Sequence, residues 1–142
     1  MMTETLSAGV QALKRGDALG ALPYLERACR DRPDDFRAHV ALGVAYGECG
    51  RLDDAVRRMR HAVHLQPGAA QVHYNLGLAL ERAGRAREAA ASIERALALD
   101  PEHPKALEVL HRIRSVPREC GHCRAPVSLD DVFCPKCGQP WS

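Results

Sequence analysis

The chain has 142 residues, with 20 lysines and arginines against 18 aspartates and glutamates, which gives a net charge of +2 when histidine is neutral. This near-balance argues against a general binder of nucleic acids or anionic membranes, because such a binder needs a basic excess. Hydrophobic residues make up 46% of the chain but aromatic residues only 4%, which is typical of packed helices rather than β-sandwiches. No stretch approaches the roughly 20 apolar residues of a membrane-spanning helix. The first residues lack the pattern of a secretory signal, so we expect a cytoplasmic protein.

A 34-residue repeat extends over the first two-thirds of the chain. Five positions recur at this interval, and they are Gly9/Gly43/Gly77, Gly16/Gly50/Gly84, Ala21/Ala55/Ala89, Ala28/Ala62/Ala96 and Pro33/Pro67/Pro101. A period of this length indicates a solenoid built from one repeated unit. We expect three such units, at about residues 2–35, 36–69 and 70–103.

Each unit is predicted to contain two helices. In the second unit, apolar residues follow a helical spacing from Phe36 to Cys49, and Gly50 ends this helix because glycine tolerates a positive φ. The next helix begins near Asp53, whose carboxylate favours a helix N-terminus. It ends before Pro67, which cannot continue a helix. The first and third units follow the same order.

A seventh helix is predicted over about residues 103–115. Pro104 suits a first helical turn, and Pro117 stops the chain before a partner helix can form. The apolar stripe of this helix consists of Leu107, Leu110 and Ile113. A solenoid needs such a capping helix because its last unit otherwise exposes an apolar face. We therefore expect an all-α domain over residues 1–116.

These repeated positions resemble the tetratricopeptide repeat, whose pattern runs Trp-x2-Leu-Gly-x2-Tyr, then Ala-x3-Phe, then Ala and Pro. The second unit matches it at Leu42, Gly43, Tyr46, Ala55, Ala62 and Pro67. The third matches it at Leu76, Gly77, Ala89, Ala96 and Pro101. His39 and His73 stand at the tryptophan position, and we expect them to pack between neighbouring helices. The resemblance implies a right-handed α-solenoid whose function is protein–protein interaction.

The resemblance also implies a concave surface, lined by the first helix of each unit, that binds a peptide or a partner helix. Ten side chains are expected to line this groove, namely Leu6, Val10, Leu13, Arg37, Val40, Val44, Tyr74, Leu78, Glu81 and Arg82. Its centre is therefore apolar, with charges towards one rim. Relatives that grip a C-terminal carboxylate use lysine and asparagine at sites that are apolar or aromatic here, so that clamp is absent. An alternative is that the capping helix or self-association covers these side chains.

Residues 117–142 are predicted to form a separate metal-binding module. Four cysteines form two Cys-x-x-Cys pairs, and they are Cys120, Cys123, Cys134 and Cys137. Two such turns, brought together by a hairpin, place four thiolates at the corners of a tetrahedron. About 25 residues cannot form an adequate apolar core, so a metal must supply most of the folding free energy. We expect zinc, although iron also suits four thiolates, and Phe133 and Trp141 are the large apolar side chains available to cover the site.

The segment Cys134-Pro135-Lys136-Cys137-Gly138 resembles the knuckle of a zinc ribbon, which implies a small β-hairpin module. The first knuckle departs from this pattern because Arg124 stands where glycine is usual. The same knuckle, Cys120-Gly121-His122-Cys123, also matches the redox motif of disulfide isomerases. That chemistry requires a strand–helix–strand setting, and none surrounds this motif, so the metal site is favoured.

Two functions are open at this point. In the first, the chain is a non-catalytic adaptor that binds a partner protein or peptide in the groove. In the second, the tail binds nucleic acid or a transcription or translation complex, and the repeats recruit it. The three basic residues of the tail are balanced by three acidic ones, which disfavours the second. We expect no enzyme activity, because the sequence has neither a phosphate-binding loop nor the spacing of a catalytic triad.

Overall fold

The structure is a computed structural model that describes residues 4–140, and within them it contains seven α-helices. The helices are α1 (Glu4–Lys14), α2 (Ala18–Asp31), α3 (Phe36–Glu48), α4 (Leu52–Leu65), α5 (Ala70–Arg82), α6 (Ala86–Leu99) and α7 (Pro104–Ser115). Each helix packs against its neighbours in the chain, and α3 also contacts α1 and α5. The all-α architecture predicted from the repeat is confirmed. None of these helices has both the length and the apolar character needed to cross a membrane.

Glycine ends the first helix of every repeat. Gly16, Gly50 and Gly84 have φ angles of +81°, +81° and +79°, a left-handed conformation that costs little only for glycine. The residue after each glycine donates a backbone hydrogen bond to the end of the helix, as Arg51 does to the Tyr46 carbonyl at 2.9 Å. This closure reverses the chain, so the second helix of each repeat packs against the first.

A second set of glycines sets the distance between the paired helices. A Cβ built at Gly43 would lie 2.9 Å from the Cε atom of Met59. Gly9 and Gly77 face the large apolar residues of their own repeats, Leu25 and Ile93, even more closely. The missing side chain of the glycine therefore leaves the space that a large residue of the facing helix fills.

The histidines at the tryptophan position join successive repeats. His39 and His73 are buried. Their Nε2–H groups donate to the carbonyl oxygens of Pro33, at 2.8 Å, and Pro67, at 2.7 Å. Each proline lies in the turn before the helix that carries the histidine, and both rings are buried, as expected of packing histidines.

Within the described part of the tail no strand forms, so the predicted β-hairpin is not supported. Two isolated antiparallel bridges are present instead, one between Glu119 and Pro126 and one between Phe133 and Pro140. In the first bridge the Cys120 N–H donates to the Ala125 carbonyl at 2.9 Å, and the Val127 N–H donates to the Arg118 carbonyl at 3.0 Å. Each knuckle is closed by a single bridge, because the chain between the knuckles turns at Ser128–Asp131 and does not continue as a paired strand.

The tail folds back onto the third repeat. Leu129 is buried and belongs to the same apolar core as the helices. Arg87 of α6 donates hydrogen bonds to the backbone carbonyls of Leu129 and Asp131. Arg118 donates to two carbonyl oxygens at the C-terminal end of α7. The division of the chain near residue 116 stays a prediction, and these contacts cross it.

Candidate functional site

A pocket of about 150 Å³ lies between α3 and α5, with α4 beneath it. Its lining residues are Gly43, Val44, Gly47, Leu52, Ala55, Met59, Asn75, Leu78, Ala79 and Arg82. Apolar side chains predominate, and Asn75 and Arg82 supply the polar groups. Cavities of about this volume accept a benzene-sized group, so the pocket has room for one apolar side chain of a partner.

Arginine gives the rim of this pocket a positive charge. Arg82 is exposed, and its Nη1 atom lies 3.5 Å from the position that a Cβ at Gly47 would occupy. The glycine therefore leaves room for the guanidinium over α3. Arg37, at the start of α3 and outside this pocket, is also exposed, and its Nε atom lies 3.2 Å from the Asp35 carboxylate.

The structure buries two of the ten predicted groove residues, Leu6 and Tyr74, which are 1% and 8% exposed. Leu6 lies in the apolar core. The Tyr74 ring lies against His103, with 4.7 Å between ring centroids, and His103 itself caps α7 by accepting from the Ala106 N–H. Neither side chain offers an open surface. The half-buried aliphatic residues of the predicted set are Val10, Leu13, Val40, Val44 and Leu78.

The seventh helix covers Glu81 at the charged end of the groove. Glu81 accepts two hydrogen bonds from Arg112 of α7, at 3.0 and 2.6 Å. The pocket between α3 and α5, with Arg82 on its rim, stays open. Arg112 is not among the predicted groove residues, because those come only from the three repeats. Continuing the 34-residue interval from Leu78 leads to residue 112 and would have found it.

The four cysteines of the tail come together in one cluster. Their sulfur atoms all lie within 4.8 Å of one another, with 3.6 Å between Cys120 and Cys137 and 3.5 Å between Cys123 and Cys134. Four metal–thiolate bonds of about 2.3 Å in a tetrahedron place the sulfurs about 3.8 Å apart. The spacing therefore fits a tetrahedral metal ion bound by four thiolates.

The two knuckles share one backbone conformation, 14 residues apart. The N–H of Arg124 donates to the Cys120 carbonyl at 2.9 Å, and the N–H of Gly138 donates to the Cys134 carbonyl at 2.8 Å. Arg124 has φ +61° and Gly138 has φ +77°. Arg124 thus adopts the conformation for which a glycine is usual, at an energetic cost. This internal 14-residue repeat was not predicted, although both knuckles carry a proline three residues after the second cysteine.

Backbone N–H groups favour the thiolate form in this cluster. In both knuckles one N–H lies 3.4 Å from the first sulfur. The pKa of Cys134 falls to about 6, chiefly because the backbone N–H of Cys137 donates to its sulfur. The Gln139 N–H lowers the pKa of Cys137, but desolvation and the neighbouring sulfurs together raise it to about 12. Phe133 is 59% exposed and does not cover the cluster, and Trp141 lies outside the described residues.

The sequence profile of the family described as "Tetratricopeptide repeat" matches residues 6–48 and 45–104. These two matches cover more than half of the chain. The chain belongs to the tetratricopeptide repeat family. The matched residues end at α7, so the cysteine tail lies outside the tetratricopeptide repeat match.

Solved structures share the tetratricopeptide repeat fold of this chain. A mutant O-GlcNAc transferase of Thermobaculum terrenum is 33% identical, has a TM-score of 0.71, and matches over 80% of this chain and 23% of its own. YrrB, a TPR protein with an unusual peptide-binding site, is 27% identical with a TM-score of 0.70, over 73% of this chain and 54% of its own. The second TPR domain of human RPAP3, in complex with an HSP70 peptide, is 20% identical with a TM-score of 0.75. The match covers 79% of this chain and 93% of the RPAP3 domain. The chain is thus much shorter than the first two proteins.

Proposed function

We propose that the chain is a non-catalytic adaptor that binds a partner peptide or helix on the concave face formed by α3 and α5. The pocket beside Val44 and Leu78 is the observation that carries this proposal. It combines an apolar lining with the exposed guanidinium of Arg82. This chemistry suits a partner segment that presents an aliphatic side chain next to an acidic group.

The expected affinity of one such pocket is modest. Burying an aliphatic side chain contributes about 1.5–3 kcal/mol, and an ion pair with an exposed arginine contributes about 1 kcal/mol or less. Further contacts are therefore needed along the groove. We expect the half-buried side chains of Val10, Leu13 and Val40 to supply them. An amphipathic partner helix carries apolar residues along one face and can contact several such positions.

The solved relatives support a peptide as the partner. YrrB has an unusual peptide-binding site, and the RPAP3 domain was solved with the HSP70 peptide SGPTIEEVD. We expect the partner of this chain to differ from a peptide recognised through its C-terminal carboxylate, because the corresponding groove sites are apolar or aromatic.

A displayed peptide library, selected against the zinc-loaded 142-residue chain, tests the proposed groove. The selected peptides are expected to pair an aliphatic residue with a nearby acidic one. Leu78→Glu should weaken their binding at least about tenfold, because it places a carboxylate in the pocket and repels the acidic group. Arg57→Glu is the matched control, since Arg57 is exposed on α4, and it should bind as the wild type does. Selected peptides that bind Leu78→Glu as tightly as the wild type would refute the groove.

For the tail we propose a structural zinc site whose ligands are Cys120, Cys123, Cys134 and Cys137. The sulfur spacing and the N–H groups directed at the sulfurs support this assignment. When bound, the metal offsets the repulsion among four thiolates and links the two knuckles.

Elemental analysis of the full chain, purified without added metal, tests the zinc site. One zinc per chain is expected, and Cys134→Ser should lower the zinc content. Cys49→Ser is the control, because Cys49 lies at the end of α3 and its loss should leave the metal content unchanged. Iron in place of zinc would show that the metal is wrongly assigned, and a chain without metal would refute the site.

A further inference from the structure

The spacer between the two cysteine pairs contains the part of the tail that packs on α6. Leu129 is 8% exposed and lies in the apolar core of the solenoid. Arg87 of α6 donates from Nε to the Leu129 carbonyl at 3.3 Å and from Nη2 to the Asp131 carbonyl. We call these contacts of Leu129 and Arg87 the clasp. The clasp places one buried side chain and one cationic side chain at the junction of the tail and the third repeat.

The spacer has its own turn, which presents the carbonyls to Arg87. The N–H of Ser128 donates to the Asp131 side chain at 2.8 Å, and the N–H of Asp131 donates to the Ser128 carbonyl at 3.1 Å. The Asp130 N–H also donates to the Ser128 hydroxyl. The turn therefore orients the two carbonyl groups towards the guanidinium of Arg87.

The cysteines that flank the spacer also close it. The Cys123 and Cys134 sulfurs, one on each side of the spacer, lie 3.5 Å apart. A metal ion bound to both holds the spacer ends together and removes the entropic cost of closing that loop. Without such a link the tail has too few residues for a core of its own, so little would hold Leu129 at α6.

We propose that metal binding and the clasp are thermodynamically coupled, so that the tail is a metal-dependent cap on the third repeat. This inference rests on the proposed zinc site. Coupling between two sites is reciprocal: if the metal favours the clasp, the clasp must favour the metal by the same factor. Changes at Leu129 or Arg87, neither of which is a ligand, should therefore lower the affinity for zinc.

Competition with a chromophoric chelator measures this coupling in the full chain. Leu129→Ala should weaken zinc binding about tenfold or more, because it removes most of the buried side chain of the clasp. Val132→Ala is the matched control, because Val132 lies in the same spacer and is 60% exposed, and its zinc affinity should equal that of the wild type. Equal zinc affinity of Leu129→Ala and the wild type would overturn the coupling.

Hydrogen exchange provides a second readout that does not depend on zinc affinity. Removing zinc from the wild type should speed exchange of the backbone amides of α6 while α1 and α2 stay unchanged. Leu129→Ala with zinc bound should show the same faster exchange in α6. Identical exchange in α6 with and without zinc would overturn the proposal.

The two proposals fail in distinguishable ways. A wild-type chain that does not bind zinc would remove the zinc site and the coupling together. A wild type that binds zinc, combined with unchanged affinity in Leu129→Ala, would remove the coupling alone.

Discussion

One glycine position, repeated as Gly9, Gly43 and Gly77, sets how closely the paired helices of each repeat approach. At Gly43 the neighbour is the flexible end of Met59, whereas at Gly77 it is the branched side chain of Ile93 together with the Ala89 carbonyl at 3.3 Å. Methionine adjusts to a new methyl group more readily than isoleucine or a backbone atom. Replacing the glycine with alanine should therefore lower the free energy of unfolding by different amounts at Gly43 and Gly77.

We predict that Gly77→Ala lowers the free energy of unfolding by about 2–3 kcal/mol and Gly43→Ala by about 1 kcal/mol. Gly68→Ala is the control, because no atom lies within 4 Å of a Cβ there and its φ is not positive, so its effect should be near zero. Urea denaturation of the three variants measures these differences. Equal losses at Gly43 and Gly77 would contradict this account of helix spacing.

His39 makes the stability of the solenoid depend on pH. Burial lowers the pKa of His39, although the hydrogen bond to the Pro33 carbonyl opposes this effect. Its Nδ1 atom is buried and, among the described residues, has no hydrogen-bond partner. A second proton on the ring would therefore be buried without an acceptor.

We predict that acid destabilises the wild type through His39. The unfolded chain binds this proton near the ordinary pKa of about 6.5 and the folded chain only at lower pH, so stability falls as the pH drops below about 6.5. Urea denaturation at about pH 7.5 and about pH 5.5 should show a larger loss in the wild type than in His39→Gln. The same loss in both proteins would exclude this role.

Arg124 carries a conformational cost that the equivalent Gly138 avoids. We predict that Arg124→Gly stabilises the metal-loaded tail by about 1 kcal/mol, because the left-handed conformation costs about 1–2 kcal/mol for a residue with a Cβ. Gly138→Ala, at φ +77°, should have the opposite effect. Zinc affinity in chelator competition reports both changes, and weaker binding by Arg124→Gly would contradict the prediction.

At the scale of elements, α7 packs against the solenoid mainly through apolar contacts. Val109 and Ile113 are 3% and 2% exposed, whereas the Arg112–Glu81 ion pair has side chains that are 56% and 24% exposed. An ion pair this exposed contributes about 1 kcal/mol or less. The apolar side chains should therefore account for most of the packing energy of α7.

We predict that Ile113→Ala lowers the free energy of unfolding by about 3 kcal/mol and Glu81→Gln by less than about 1 kcal/mol. Leu107→Ala serves as the control because Leu107 is 52% exposed, and its effect should be small. Chemical denaturation measures all three. A Glu81→Gln variant that loses as much stability as Ile113→Ala would reverse this ranking.

Helices were predictable from the sequence because glycine and proline mark their ends at a fixed interval. Gly50 and Pro67, for example, follow α3 and α4 within two residues. The burial of Tyr74 was not predictable from its repeat position, because it depends on His103 in the turn before α7. The expected hairpin does not form because the spacer between the cysteine pairs turns at Ser128–Asp131 and packs Leu129 into the core of the solenoid.

At the scale of the whole molecule, the solenoid is built from contacts between helices that are close in sequence. The clasp is different, because Arg87 and Leu129 are 42 residues apart. Neither Arg87 of α6 nor Leu129 of the tail belongs to a repeated motif, so the sequence carried no signal for this contact. The cysteine cluster, in contrast, was predictable because ligand spacing encodes its geometry directly.

The concave face between α3 and α5 is the centre of the proposed function. The most direct measurement is an NMR titration of the isotope-labelled, zinc-loaded full chain with a selected peptide. We expect the largest amide shifts around Val44, Leu78 and Arg82, and small shifts on the exposed face of α4 around Arg57. Shifts centred on α4 or on the tail, with α3 and α5 unchanged, would contradict it.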